Sequence, residues 1–312
     1  MPHPRLEQES YSIKFVSVQY AAIDIGTNAA RLLIGEVTEI DGASFVKKLS
    51  YTRIPLRLGE SVFDDGIIPE KKQSDFRKSM HAFKLISELF DVKEIRACAT
   101  SAMREAKNGK EIQEMILKET GVNIEIITGS EEARLILSTF FLMDIDKAIP
   151  FIVIDVGGGS TEVSVFENGE QTASKSFRIG TLRILKGKVT KDIWTQIHNW
   201  VATHIDTKTV RHIYATGGNI NKVHKLLGAG NKEPIAFDKM KILRDELDSL
   251  SLLQRMTKYQ LRPDRADVIV PALDIYLYIL KELKCESIIV PKIGLSDGMI
   301  YNMHLKHSEI NE

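Results

Sequence analysis

Ile23-Asp24-Ile25-Gly26-Thr27-Asn28, running into the apolar stretch 31–37, returns in kind at Ile154-Asp155-Val156-Gly157-Gly158-Gly159-Ser160-Thr161, which runs into 162–166. Each copy reads as a buried strand ending on an aspartate, a glycine turn and a second strand. The two aspartates stand about one domain length apart, roughly 130 residues. This repeat predicts two similar lobes facing each other across a cleft. Strand-like and helix-like patterns alternate through the rest of the chain, which implies an α/β architecture. In the first half, strands are expected at 20–25, 31–37, 44–53, 94–99 and 123–127, with helices over 70–90, near 110–120 and opening at 128–132. In the second, strands are expected at 150–155, 161–166, 170–177, 212–215 and 287–290, and helices near 191–204, from 219, over 266–283 and over 297–307. The reading divides the chain into a first lobe, 1–137, and a second, 138–296, with the final helix, 297–312, returning to the first.

At 312 residues the chain exceeds the usual single-domain size, which agrees with two cores. Lys and Arg total 42, as do Asp and Glu, so net charge points to no nucleic acid and any attraction for phosphate must be local. Cys98 and Cys285 are the only cysteines and form no CxxC, which suits a reducing compartment. The segment 1–18 lacks the apolar run of a signal peptide. The most apolar stretch, 266–280, is interrupted by Asp267, Pro271 and Asp274 and reads as a buried helix rather than a membrane span. A cytoplasmic protein without a membrane partner is expected.

A turn built from glycine and small hydroxyl residues points several backbone N–H groups one way, and such nests bind phosphate oxygens. That makes Thr27 and Asn28 in the first turn, and Gly157, Gly158, Gly159, Ser160 and Thr161 in the second, candidate phosphate ligands. Asp24 and Asp155 suit a hard divalent cation such as Mg²⁺. A lone D-x-G is more often a plain hairpin whose aspartate caps its own turn; two of them, a domain apart, reverse that balance. Ala215-Thr216-Gly217-Gly218-Asn219 adds a third turn, with Gly217 and Gly218 at the start of a helix whose dipole favours an anion. Thr128-Gly129-Ser130-Glu131 fits a capping box, Thr128 capping the helix and Glu131 reaching back. Glu132 has no such duty; the alternative is a solvated glutamate favoured by the helix dipole. The stretch 171–191 holds Lys175, Arg178, Arg183, Lys186, Lys188 and Lys191 and no acid, which suits either a groove for a long polyanion or a solvated face.

Taken in order, the segments 24–28, 100–104 (Thr-Ser-Ala-Met-Arg), 129–134 (Gly-Ser-Glu-Glu-Ala-Arg), 155–162 and 215–218 resemble the motifs of the exopolyphosphatase/guanosine pentaphosphate phosphohydrolase family over nearly the whole chain. The resemblance implies two actin-like, ribonuclease H-like lobes of the sugar kinase/heat-shock ATPase/actin superfamily. It implies Mg²⁺-assisted release of orthophosphate from inorganic polyphosphate or guanosine penta- or tetraphosphate, and it is compatible with a homodimer. In that reading Glu132 activates water, Glu162 is a second catalytic carboxylate, and Arg104 with Ser101 holds the terminal phosphate. Without the resemblance, Arg104 reads as a surface arginine paired with Glu105, and Glu162 as an outward strand residue.

Two departures stand out: Ala29 replaces a common serine after the first turn, and Ser296 replaces a common arginine. There is no His-Asp dipeptide of the kind that marks the longer relatives, so the chain resembles the short form. A sugar or acetate kinase of the same superfamily would share the glycine turns without needing Glu132, and a non-catalytic alarmone sensor could dispense with both glutamates. Gly294-Leu295-Ser296-Asp297-Gly298 matches G-x-S-x-G, yet too little chain follows to supply the acid and histidine of a serine hydrolase. No Walker A motif is present, and the eight histidines show no metal-ligand spacing.

Overall fold

The computed structural model describes residues 18–309 apart from 41–42, 141–142, 144, 146–147, 210 and 231–232. The segment 1–17, which the sequence reading excludes as a signal peptide, and residues 310–312, expected within the final helix, lie outside the described residues.

The first half runs β1 (Gln19–Ile25), β2 (Ala30–Ile40), β3 (Ala43–Ile54), α1 (Leu58–Asp65), α2 (Glu70–Leu89), β4 (Glu94–Ala99), α3 (Ser101–Glu105), α4 (Gly109–Thr120), β5 (Ile124–Ile126) and α5 (Gly129–Phe140). The second runs β6 (Phe151–Val156), β7 (Thr161–Glu167), β8 (Glu170–Phe177), α6 (Thr181–Leu185), α7 (Ile193–His204), β9 (His212–Thr216) and α8 (Gly218–Leu226). It closes with β10 (Ile235–Ala236), α9 (Phe237–Ser249), α10 (Leu252–Lys258), α11 (Pro263–Ala266), α12 (Ile269–Glu282), β11 (Ser287–Ile288) and α13 (Leu295–Glu309).

The two main sheets share one plan. The first has the order β3-β2-β1-β4-β5 and the second β8-β7-β6-β9. In each, the aspartate-bearing strand pairs antiparallel with the strand after its glycine turn and parallel with a strand from farther along the chain. The turns also match, because the Gly26 N–H donates to Ala29 O at 3.1 Å and the Gly157 N–H to Ser160 O at 3.0 Å. That bond sets the register of each hairpin, placing Arg31 opposite Asp24 and Glu162 opposite Asp155. Arg31 and Glu162 therefore occupy equivalent places with opposite charge.

Each sheet has its own apolar core. The first joins Ile23, Leu32 and Ala97 to Phe76, Phe83 and Ile116 of α2 and α4. The second joins Ile154 and Val163 to Ile197, Leu273 and Tyr276 of α7 and α12. A third cluster links the opposite faces of both sheets through α5 and α13, bringing Tyr20 and Leu33 together with Leu135, Phe140, Phe151, Met299 and Ile300. Helix α13 lies against β1, β2 and α5. Its Gly298 faces the Leu135 backbone so closely that an added Cβ would stand 2.6 Å from the carbonyl carbon and nearer still to its oxygen. Gly294 has open space at the same atom. The G-x-S-x-G segment thus serves a helix crossing, and Ser296 lies buried at the start of α13.

Candidate active site

The glycine turns face each other across a cleft of about 680 Å³. Gly26, Thr27 and Asn28 contribute from one sheet, and Gly157, Gly158, Gly159 and Ser160 from the other, with Gly217 and Gly218 at the start of α8. Close approach explains the glycines. A Cβ on Gly158 would stand 2.9 Å from Thr27 Cβ, and one on Gly159 would meet Phe63 at 2.9 Å. Gly180 lies directly behind this loop, 2.5 Å from backbone atoms of Gly158 and Gly159 at its added Cβ. Gly217 has φ +114°, a conformation that suits glycine, and this sets the direction in which α8 begins.

Asp24 is buried and accepts from Arg31 Nη1 at 2.5 Å. Asp155 accepts from Thr216 Oγ1 at 2.8 Å, and burial, followed by the nearby Asp24, raises its carboxyl above the usual range. Glu132 is half-buried and Glu162 buried, and their carboxyls repel each other when both are charged. Burial and then Glu162 push Glu132 well up, while burial and then Asp155 push Glu162 up to about 7. Ser176 Oγ donates to Glu162 at 2.7 Å, and the Ser160 hydroxyl also bonds it. Arg104 joins the group from α3, donating from Nη1 to Ile127 O at 2.7 Å and to Glu132 Oε2 at 3.3 Å. It does not pair with Glu105, which is instead held by Arg178 and Arg183. Four carboxylates, buried at Asp24 and Glu162 and half-buried at Asp155 and Glu132, stand against two guanidiniums and suit a hard cation, for which carboxylate oxygens and water are the usual ligands. Among the described residues, however, no three His, Cys, Asp or Glu side chains are grouped as a ready metal cage.

Several expectations need correction. Thr161 does not face the cleft, because its hydroxyl is buried and donates to Ile179 O at 2.7 Å. Successive strand residues point to opposite faces, and Glu162 takes the other face, where it lines a second cavity that adjoins the cleft. Only half of the capping box forms: the Glu131 N–H donates to Thr128 Oγ1 at 3.1 Å, but the Glu131 carboxylate pairs with Arg134 at 2.8 Å and Arg96 at 3.6 Å. Asn28 lines the cleft while its Nδ2 donates to Asp264 O at 3.0 Å, and Ser101 Oγ donates to Glu105 at 3.1 Å. Ala29 is fully buried, so its lost hydroxyl opens no gap in the cleft wall.

The basic stretch 171–191 divides. Lys175 and Arg178 line a second cavity, whereas Lys186 is tied to Asp64 at 2.6 Å. Arg183 is buried under Phe63, 4.1 Å from the ring centroid, and donates from Nε to Gly159 O at 2.8 Å. It braces the turn.

The cleft also contains cations that the motifs did not announce: Arg31, Lys48, Arg53, Lys222, Lys225, Arg265 and Lys292. They crowd one another. Burial and then Arg53 and Arg31 pull Arg265 down to about 10, and burial, Lys225 and Arg265 lower Lys222. Such crowding favours a bound polyanion. Arg31 was legible in principle, since the turn length fixes it opposite Asp24. Arg265 carries no local signal because α11 reaches the cleft only through the tertiary fold.

The raised carboxyls make a stability prediction. Glu162 prefers to be protonated in the folded protein, so its contribution is complete below its ordinary value near 4.5 and is lost as pH rises through about 7. The Tm of the wild type relative to Glu162→Gln should therefore fall between about pH 5 and about pH 8. A constant difference in melts across that range would contradict the burial of this carboxylate.

The profile of the Ppx/GppA phosphatase family matches residues 37–307. A guanosine-5'-triphosphate,3'-diphosphate pyrophosphatase of Photobacterium profundum is 24% identical over 95% of this chain and 62% of its own length. The protein of the same name from Aliivibrio fischeri is 25% identical over 95% and 61%. The chain thus spans about three fifths of the length of these relatives. The Aquifex aeolicus Ppx/GppA structure superposes with a TM-score of 0.73 at 23% identity, covering 93% of this chain and 98% of that one. An exopolyphosphatase from Cytophaga hutchinsonii gives 0.77 at 22%, covering 91% and 97%. The fold is the two-lobed actin-like α/β fold.

Proposed function

The chain belongs to the Ppx/GppA phosphatase family, and from that premise we propose that it hydrolyses phosphoanhydrides, releasing terminal orthophosphate from inorganic polyphosphate, from pppGpp, or from both. One observation carries the reading: Glu132, its side chain 13% exposed, lines a cleft floored by facing glycine turns, with its carboxylate against Arg104 and near that of Glu162. The backbone N–H groups of the turns hold the phosphate chain. Arg104 fixes the terminal phosphoryl group, and Glu132 orients a water for in-line attack and takes up its proton. A base with a raised pKa is better matched to neutral pH than an ordinary carboxylate. Glu162 fixes the position of the water with Ser160 and Ser176. Positioning and electrostatics supply most of the acceleration, and no covalent intermediate is needed.

Asp155, with the Asp24 oxygen opposite the Arg31 contact, would hold a hard divalent cation such as Mg²⁺, which supplies neutralisation of phosphate charge. Asp155→Asn should therefore shift the Mg²⁺ titration of activity to higher concentration by about 10-fold or more. An unchanged titration with full activity would reduce Asp155 to a turn residue. Among the described residues no helix is long and apolar enough to cross a membrane; we place the protein in the cytoplasm with its anionic substrates. Comparing kcat/KM for long polyphosphate and pppGpp under matched Mg²⁺ decides the substrate, and activity on neither would overturn the reading.

A further inference from the structure

A second cavity, of about 690 Å³, opens on the other side of the α5 N-terminus. Gly129 and Ser130 line it, whereas Glu132 lines the cleft. The two spaces meet at Ser101, Gly159 and Ser160, which line both. Arg104 and Glu162 line the second cavity, so the groups assigned above to the reaction stand on the boundary between the two.

In-line displacement gives this arrangement a direction. The attacking water and the leaving oxygen lie on opposite sides of the phosphorus. The chain and its leaving oxygen lie along the glycine turns of the cleft, so the freed phosphate moves away from them, past Arg104 and Glu162, into the second cavity.

The cavity suits a small anion held weakly. Four basic side chains, Arg104, Arg134, Lys175 and Arg178, line it against two carboxylates, Glu105 and Glu162. Arg134 is paired with Glu131 at 2.8 Å and Arg178 with Glu105 at 2.6 Å. Among the described residues Lys175 has no carboxylate at ion-pair distance; its ammonium lies 5.2 Å from the Phe177 ring centroid. Arg178 is 74% exposed, so its attraction for phosphate is screened and the anion can leave.

We propose that this cavity is the release route for orthophosphate, by which the product departs while the shortened chain stays in the cleft. The proposal rests on the hydrolase reading. Added orthophosphate should then enter with a chain already bound, so its inhibition of long-polyphosphate hydrolysis should lower kcat rather than only raise KM. Replacing these two cations together, Lys175→Gln with Arg178→Gln, should raise the inhibition constant for orthophosphate at least about threefold. Purely competitive inhibition of the wild type, or an unchanged inhibition constant in the double variant, would overturn the route. So would a rise in KM that grows with polyphosphate length, because the cavity would then hold the chain itself. A wild type that hydrolyses neither polyphosphate nor pppGpp would sink the hydrolase reading and this inference with it; hydrolysis with competitive inhibition would sink the inference alone.

Discussion

Glu132→Gln should lower kcat by at least about two orders of magnitude, the usual range for a lost general base, with KM changed much less. The substitution keeps the side chain's size and its hydrogen bond from Arg104 while removing the proton acceptor. Because Glu132 is half-buried and near Glu162, the neutral amide also relieves a like-charge contact, so the folded protein should be no less stable. Lost activity with an unchanged or raised Tm separates a chemical role from a structural one. Glu131→Gln is the control. Its carboxylate faces Arg134 and Arg96 at the surface, so its loss should cost no more than about 1 kcal/mol and leave kcat within a few-fold. Activity lost in Glu131→Gln and kept in Glu132→Gln would mean that the adjacent pair has been assigned backwards.

Gly298→Ala should destabilise the protein by at least about 3 kcal/mol, at the upper end for overpacking, because the new methyl meets backbone that cannot rotate away. The Leu135 carbonyl belongs to α5, the helix that carries Glu132 in its first turn, so the shift reaches the site as well. A fall in Tm on the order of 6 °C is expected, accompanied by a fall in kcat. Gly294→Ala, in the same segment, adds a methyl to open space and should change stability by less than about 0.5 kcal/mol. Equal effects at the two glycines would contradict the helix crossing. Ser296→Ala should leave turnover intact, as the serine serves no nucleophilic purpose.

The two hairpins were legible because a buried strand, an aspartate and a glycine turn form a local signal, and the signal occurs twice. The same locality explains the errors. In sequence Thr161 groups with its glycine turn, although strand alternation sends it and Glu162 to opposite faces. Spacing permits Glu131 to form half of a capping box, but two arginines compete for the carboxylate, one of them Arg96 on β4. Arg183 looked like one cation in a basic run, yet the fold buries it under Phe63 as a brace for the turn at Gly159. Contacts between distant segments also bring Arg265 to the cleft and set Gly298 against α5. No window along the chain could reveal them.

The most direct test is orthophosphate release by the wild-type protein from long polyphosphate, tripolyphosphate and pppGpp, with Mg²⁺ and no acceptor other than water. The result expected is steady release of terminal phosphate from at least one of them, abolished in Glu132→Gln. Release that requires an added sugar or carboxylate acceptor would identify a kinase, and tight binding of the nucleotide without turnover would identify a sensor. Either result would contradict the assignment of Glu132 as the group that activates water.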